Sequence, residues 1–317
     1  MKKVMEDFLN GLDAATKTSY ACGHRNYTTW LAGRDPLKVS LQDLLDFQKW
    51  LASEYRSPNG KKLSKSTQCT RLAAIKAFYR WLHRRGDILI DPSIKLKLPK
   101  TKRRRVACDC LTQQELSAVL ETQRSLLDGK QRGSRLWACE HRNLAMLALG
   151  FALGRRSKDV FNLRLQDIDE KRNEVRVDWE KGKPGRVYPV SKWAMTACMD
   201  YVNEARPILA SHFEDDEGWL FVGLRTQRVC VEHLGRLLQS LQQETAERNP
   251  DLTELAGKRL KTHSIRTTYA TMLFLNGANI RVVNELLGHE KLSTTALYTP
   301  LGLDDVRRAL RLGHPRA

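Results

Sequence analysis

No run of 18 apolar residues occurs in this chain of 317 residues, and its opening, MKKVMEDFLNGLDAATK, lacks an apolar signal-peptide core. The expectation is a soluble, cytoplasmic protein that makes no use of a membrane. Cysteines are few: seven, scattered over positions 22, 69, 108, 110, 139, 198 and 230. An odd, dispersed set suits a reducing compartment and free thiols. Cys108 and Cys110 form the one tight pair, and no second pair stands at zinc-finger spacing, so they read as linker thiols rather than metal ligands. A Walker-type glycine loop, an Asp/Glu metal cluster, internal repeats and low-complexity stretches are all missing. An expectation of no cofactor and no metal agrees with these absences. Acidic residues are also short, 36 against 54 Lys and Arg, which leaves a net charge of +18.

Such an excess of positive charge predicts a polyanionic partner, held with a steep salt dependence as counterions are released. The basic residues cluster, which favours nucleic acid over a merely soluble basic surface. The length allows two domains, each with its own core. Residues 1–98 read as helices. Ser40-Leu41-Gln42-Asp43 has the form of a capping box and opens a helix running to about Glu54. Ser64 caps the next, which ends before Gly86, with Leu72, Ile75, Tyr79 and Leu82 on one face. Lys76, Arg80 and Arg84 recur at every fourth position beside it. No acidic residue lies between Leu63 and Gly86 to pair with them, so phosphate contact is preferred to a solvated face.

The segment 99–110, with Lys100, Lys102, Arg103, Arg104 and Arg105, is a basic, proline-flanked linker that suits the backbone of DNA. A second capping box, Thr112-Gln113-Gln114-Glu115, opens the domain 111–317. There Leu126–Arg135 reads as a loop, Asn143–Leu153 as a buried helix, and Glu174–Trp179 with Arg186–Val190 as a β-hairpin. Helices follow over Ser191–Arg206, Val231–Ala246 and most of 263–298. The class is mainly α with a small antiparallel β-sheet.

One order of residues in this second domain carries chemistry. Gly154-Arg155-Arg156-Ser157-Lys158-Asp159 ends the apolar run Leu144–Leu153, Glu180-Lys181-Gly182-Lys183 lies in the hairpin turn, and His263-x-x-Arg266, Leu287-Gly288-His289 and Tyr298 follow. Arginines clamp a phosphate and a tyrosine oxygen attacks it, so the set suits metal-free phosphodiester cleavage. The order resembles the tyrosine recombinase family, which includes phage integrases and Xer-type recombinases, over roughly residues 10–312. All six catalytic positions of that family find a candidate here.

The resemblance implies a two-domain DNA clamp, made of a helical core-binding (SAM-like) domain and a catalytic domain. It implies site-specific recombination through a 3′-phosphotyrosyl intermediate and a Holliday junction. The partner is a double-stranded recombination site in nucleoid DNA, held by a homotetramer on two such sites, with DNA-bending accessory proteins possible. Arg156 and Arg266 are the implied phosphate clamp; Arg155 also follows Gly154, but the family spacing selects Arg156 with Asp159, which stand on one helical face. Lys181 is the implied general acid, with Lys183 as rival. His263 accepts the tyrosine proton, His289 bonds the phosphate and Tyr298 is the nucleophile. Residues 304–312 are expected to form a tail helix that docks on a neighbouring protomer or on its own domain. A type IB topoisomerase-like nicking-closing enzyme and a non-catalytic DNA-binding accessory protein are the alternatives.

Overall fold

Helix starts in this chain are built from capping side chains, and the computed structural model, which describes residues 2–100, 109–178 and 185–288, shows several of them. Expectations that fall on Lys102, Arg103, Arg104, Arg105, Lys181, Lys183, His289, Tyr298 and the tail helix lie outside those residues. In the first of two units, Met1–Arg104, the described residues form α1 (Lys2–Asn10), α2 (Ala14–Leu31), α3 (Leu41–Ser53) and α4 (Lys65–Arg85). At the start of α3 the Ser40 N–H donates to Asp43 at 2.9 Å and the Asp43 N–H donates to the Ser40 hydroxyl at 3.2 Å. Gly86 closes α4 in the left-handed conformation, which glycine adopts without strain.

Tyr27, Leu31, Leu44, Phe47, Leu51, Leu72, Ile75, Phe78, Tyr79 and Leu82 fill the core of this unit. Burial of each such side chain stabilises by roughly 1.5–3 kcal/mol before chain entropy is subtracted. α2 and α4 approach closely at Gly23, where a Cβ would lie 3.0 Å from the Arg71 carbonyl oxygen and 3.1 Å from the Ala74 Cβ. His24, one residue on, packs against the rings of Phe8 and Phe78. Burial pushes its pKa down to about 4, against a small opposing effect from the Ala74 backbone, so at neutral pH it is an uncharged core residue.

The second unit, Arg105–Ala317, contains among its described residues α5 (Gln113–Asp128), α6 (Arg135–Leu153), α7 (Ser157–Phe161), β1 (Ile168–Asp169), β2 (Glu174–Val177), β3 (Arg186–Pro189), α8 (Lys192–Asp200), α9 (Arg206–Ala210), α10 (Val231–Arg248), α11 (Thr262–Leu275) and α12 (Ile280–Leu287). α6 is the centre: Leu144 through Gly150 are all buried, and α5, α8 and α11 pack around it. A helix apolar on every side belongs inside a core. The three strands form one antiparallel sheet in the order β1-β2-β3, with Val175 opposite Tyr188. Val175 and Val177 face inward and Arg176 outward, the period of two that a half-buried strand requires.

Two boundaries differ from the sequence reading. α5 runs to Asp128 and α6 begins at Arg135, so the loop between them is shorter than Leu126–Arg135. Leu127 is buried in the core, and the Ser134 hydroxyl accepts the Trp137 N–H, which starts α6 eight residues before Asn143. Of the helices expected over 263–298, α11 and α12 fall among the described residues, and the chain turns back between them, where Gly277 has φ +86°. Ala270, Val283 and Leu287 form a small core of their own inside that helical hairpin. No helix among the described residues is long and apolar enough to cross a membrane.

Candidate active site

α6 delivers the site. Its last carbonyls carry the negative end of the helix dipole, and Gly154 ends it in the left-handed conformation at φ +58°. The chain then extends through Arg156, which caps α7 with φ −63° and ψ 144°. The two arginines take different courses from this turn. Arg155 goes inward and is 3% exposed, while Arg156 is exposed.

α11 lies directly against this turn. A Cβ on Gly154 would fall 2.1 Å from Cδ1 of Tyr269, so only glycine admits the ring there. Arg266 Nη1 donates to the Gly154 carbonyl at 3.2 Å, and its Nη2 donates to the Leu287 carbonyl at 2.7 Å. His263, one turn earlier in α11, is open to solvent on one side. Desolvation, then the charges of Arg266 and Arg156, hold its pKa below the ordinary 6.5. Burial and these two positive charges favour the neutral imidazole, the form that can accept a proton.

Three details go beyond the motif. Arg266 is 1% exposed, so it lends its charge from beneath the surface, and Arg156 alone of the two presents a guanidinium to solvent. Asp159 pairs with Arg155 at 3.1 Å; the carboxylate supports the inward arginine, at i,i+4 spacing, and no bond to Arg156 is formed. Tyr188 in β3 lies beneath the Arg155 guanidinium, 4.9 Å from ring centroid to Cζ, a cation–π contact. In the sequence Arg155 stands only as a rival for the Arg156 role. Its spacing to Asp159 was the available signal of a separate one.

In the first unit the basic row of α4 divides. Lys76 Nζ donates to the carbonyls of Ser93 at 2.6 Å, Leu96 at 2.8 Å and Ile94 at 3.3 Å. This corrects its assignment as a phosphate contact: its ammonium ties the 93–96 segment to α4. Arg80, Arg84 and Lys100 are exposed and stay available. Replacing Arg80 and Arg84 by Ala should lower the slope of log K against log salt by up to about 1.8, at about 0.9 per phosphate contact. Lys76→Ala should leave that slope alone and lower stability by about 1.5 kcal/mol, at the low end for bonds from a charged donor. Salt titrations and melting curves on the same proteins separate these outcomes, and an unchanged slope for R80A/R84A returns both arginines to a solvated face.

The chain is similar to known proteins over most of its length. The phage integrase family profile matches residues 110–302. The tyrosine recombinase XerC of Lactobacillus delbrueckii subsp. bulgaricus is 30% identical over 265 residues, covering 83% of this chain and 81% of the relative. The tyrosine recombinase XerD of Oceanobacillus iheyensis is 28% identical over the full length of both proteins. Among solved structures, XerH recombinase bound to a palindromic difH substrate superposes with a TM-score of 0.68 at 16% identity, covering 95% of this chain and 79% of that one. A lambda integrase dimer bound to a COC′ core site gives 0.59 at 12% identity, covering 94% and 76%. Fold, motif order and relatives together define an enzyme that breaks and rejoins DNA strands. The chain belongs to the phage integrase family; it is a tyrosine recombinase of site-specific recombination.

Proposed function

We propose that this recombinase cuts a double-stranded DNA site through Tyr298, with Arg156, Lys181, His263, Arg266 and His289 as its catalytic set. The observation that carries the assignment is the bond from Arg266 to the Gly154 carbonyl, which ties the helix bearing His263 to the turn that presents Arg156. His263 takes the phenolic proton as the tyrosine oxygen attacks phosphorus. Arg156 bonds the non-bridging oxygens, Arg266 adds charge from below, and His289 donates a hydrogen bond. The bond from phosphorus to the 5′ oxygen breaks, Lys181 protonates that oxygen, and a 3′-phosphotyrosyl linkage remains. A 5′ hydroxyl from a second duplex reverses the step, which rejoins strands through a Holliday junction without ATP.

The first unit and the basic linker are the core-binding arm of the clamp in this reading, with Arg80, Arg84, Lys100, Lys102, Arg103, Arg104 and Arg105 on phosphates. Four protomers act on two sites, tied together by the tail helix and aided by DNA-bending proteins, in the cytoplasm on nucleoid DNA. Structures of relatives with DNA sites, difH and COC′ among them, support the duplex partner.

DNA recovered from the protein under denaturing conditions is expected to carry one defined sequence, and a plasmid bearing two copies should undergo exchange. Adduct without exchange would favour a nicking-closing enzyme; binding without adduct would favour an accessory protein. On the recovered site, Lys181→Ala should slow cleavage, and a bridging 5′-phosphorothiolate, whose sulfur leaves without protonation, should restore it. Restoration of a Lys183 variant but not of Lys181→Ala would move the general acid to Lys183.

A further inference from the structure

Two helix C-termini meet beside the site, and two buried guanidiniums lie between them. The α6 end offers the Gly154 carbonyl, which accepts from Arg266 Nη1. The α12 end offers the Leu287 carbonyl, which accepts from Arg266 Nη2 at 2.7 Å and from Arg155 Nη1 at 2.8 Å. Arg155 Nη1 also reaches the Leu286 carbonyl at 3.5 Å, while its Nη2 is held by Asp159 in α7. Its flat face rests on Tyr188 of the β-hairpin. One side chain therefore touches α7, β3 and the last turn of α12.

Burying two like charges side by side is costly, and the partial negative charge of two helix ends with one carboxylate offsets it only by close bonding. An apolar residue at position 155 would fill the space without that cost. What it would not supply is a directional tie between the arginine turn and the Leu287 carbonyl. Gly288, the next residue, ends α12 in the left-handed conformation, and its N–H closes the helix onto Glu285 at 2.9 Å.

We propose that Arg155 is a positioning residue, fixing the end of α12 against the turn that presents Arg156 and so holding in place the Leu287 carbonyl that also anchors Arg266. It touches no substrate; it acts through the Leu287 carbonyl. This rests on the site reading above. A guanidinium is needed because it has two arms: one takes Asp159, and the other reaches the helix end. Lysine can satisfy Asp159 but has a single head to offer.

The test uses the full-length protein and the DNA site recovered with wild type. Arg155→Met and Arg155→Lys are expected to bind that site within about twofold of wild type, since Arg156 and the basic linker are untouched. Single-turnover adduct formation, measured well below the melting temperature, should fall by at least about tenfold in both, as a misplaced reacting group does. Without DNA, amide exchange at Gly288 should rise in both variants while exchange within α6 stays as in wild type. R155K, which keeps a charge beside Asp159, carries the test if R155M fails to melt cooperatively. A wild-type adduct rate in R155K, or slowed adduct formation with unchanged Gly288 exchange, overturns the proposal. Wild-type protein that forms no adduct defeats the site reading instead, and the exchange of Gly288 still decides whether Arg155 holds the helix end.

Discussion

Tyr298→Phe is expected to abolish the covalent protein–DNA adduct while leaving affinity for the site within about twofold of wild type. The substitution removes one oxygen and almost no volume, and no other group in the proposed set can form a phosphotyrosyl bond. The remaining tyrosines of the second unit offer no substitute. Tyr188 is 5% exposed beneath Arg155. Tyr201 is fully buried, its hydroxyl accepts the Val222 N–H at 3.2 Å, and burial pushes its pKa up to about 12. Tyr269 lies on Gly154 with its pKa raised by burial. Burial makes the Tyr201 and Tyr269 phenols harder to ionise, and freeing Tyr188 or Tyr201 would unpack the core. Denaturing gels after incubation with DNA carrying a nick beside the cleavage point check the result. An adduct formed by the Phe variant would transfer the role to another residue and undo the assignment of Tyr298.

Features written over three or four residues could be read from sequence, and those written across the fold could not. The capping boxes at Ser40 and Thr112 place their helices because the donors and acceptors are three residues apart. Gly154 and Arg266, 112 residues apart, are bonded in the structure, and the motif order is what pointed to both. Lys76 misled because its partners lie 17 to 20 residues away in an irregular segment, where periodicity carries no information. A row of basic residues shows which face they share and not whether a passing carbonyl has already engaged one of them. The inward course of Arg155 is similar. Its nearest partner, Asp159, is local, but the Leu287 carbonyl is 132 residues away, and only the return of α12 reveals what the guanidinium is for. Arg266 shows the same limit in another form: its identity was legible, whereas its burial under the turn follows from the packing of α11 on Gly154.

Gly154→Ala should be the most damaging small substitution in the second unit. Two separate costs fall on the same atom. At φ +58° an alanine is strained in the left-handed region, by about 1 kcal/mol or somewhat more. Its Cβ would also stand 2.1 Å from Cδ1, 2.4 Å from Cγ and 2.8 Å from Cε1 of Tyr269, and relief by shifting α11 or the ring costs about 1–3 kcal/mol more. A total near 2–4 kcal/mol corresponds to a fall of roughly 5–15 °C in the melting temperature of a unit this size. Movement of α11 would carry His263 and Arg266 away from Arg156, so adduct formation should drop beyond what partial unfolding explains. Shrinking the ring separates the two costs. In Gly154→Ala/Tyr269→Leu the overlap is removed and only the backbone strain and the lost ring packing remain, so the pair should be less destabilised than the sum of the single variants by about 1 kcal/mol or more, as expected for directly contacting sites. Thermal melts of the four proteins yield that coupling directly. Additive effects, or a Gly154→Ala protein that melts and cleaves as wild type, would mean that the contact between the arginine turn and α11 is not what holds the site together.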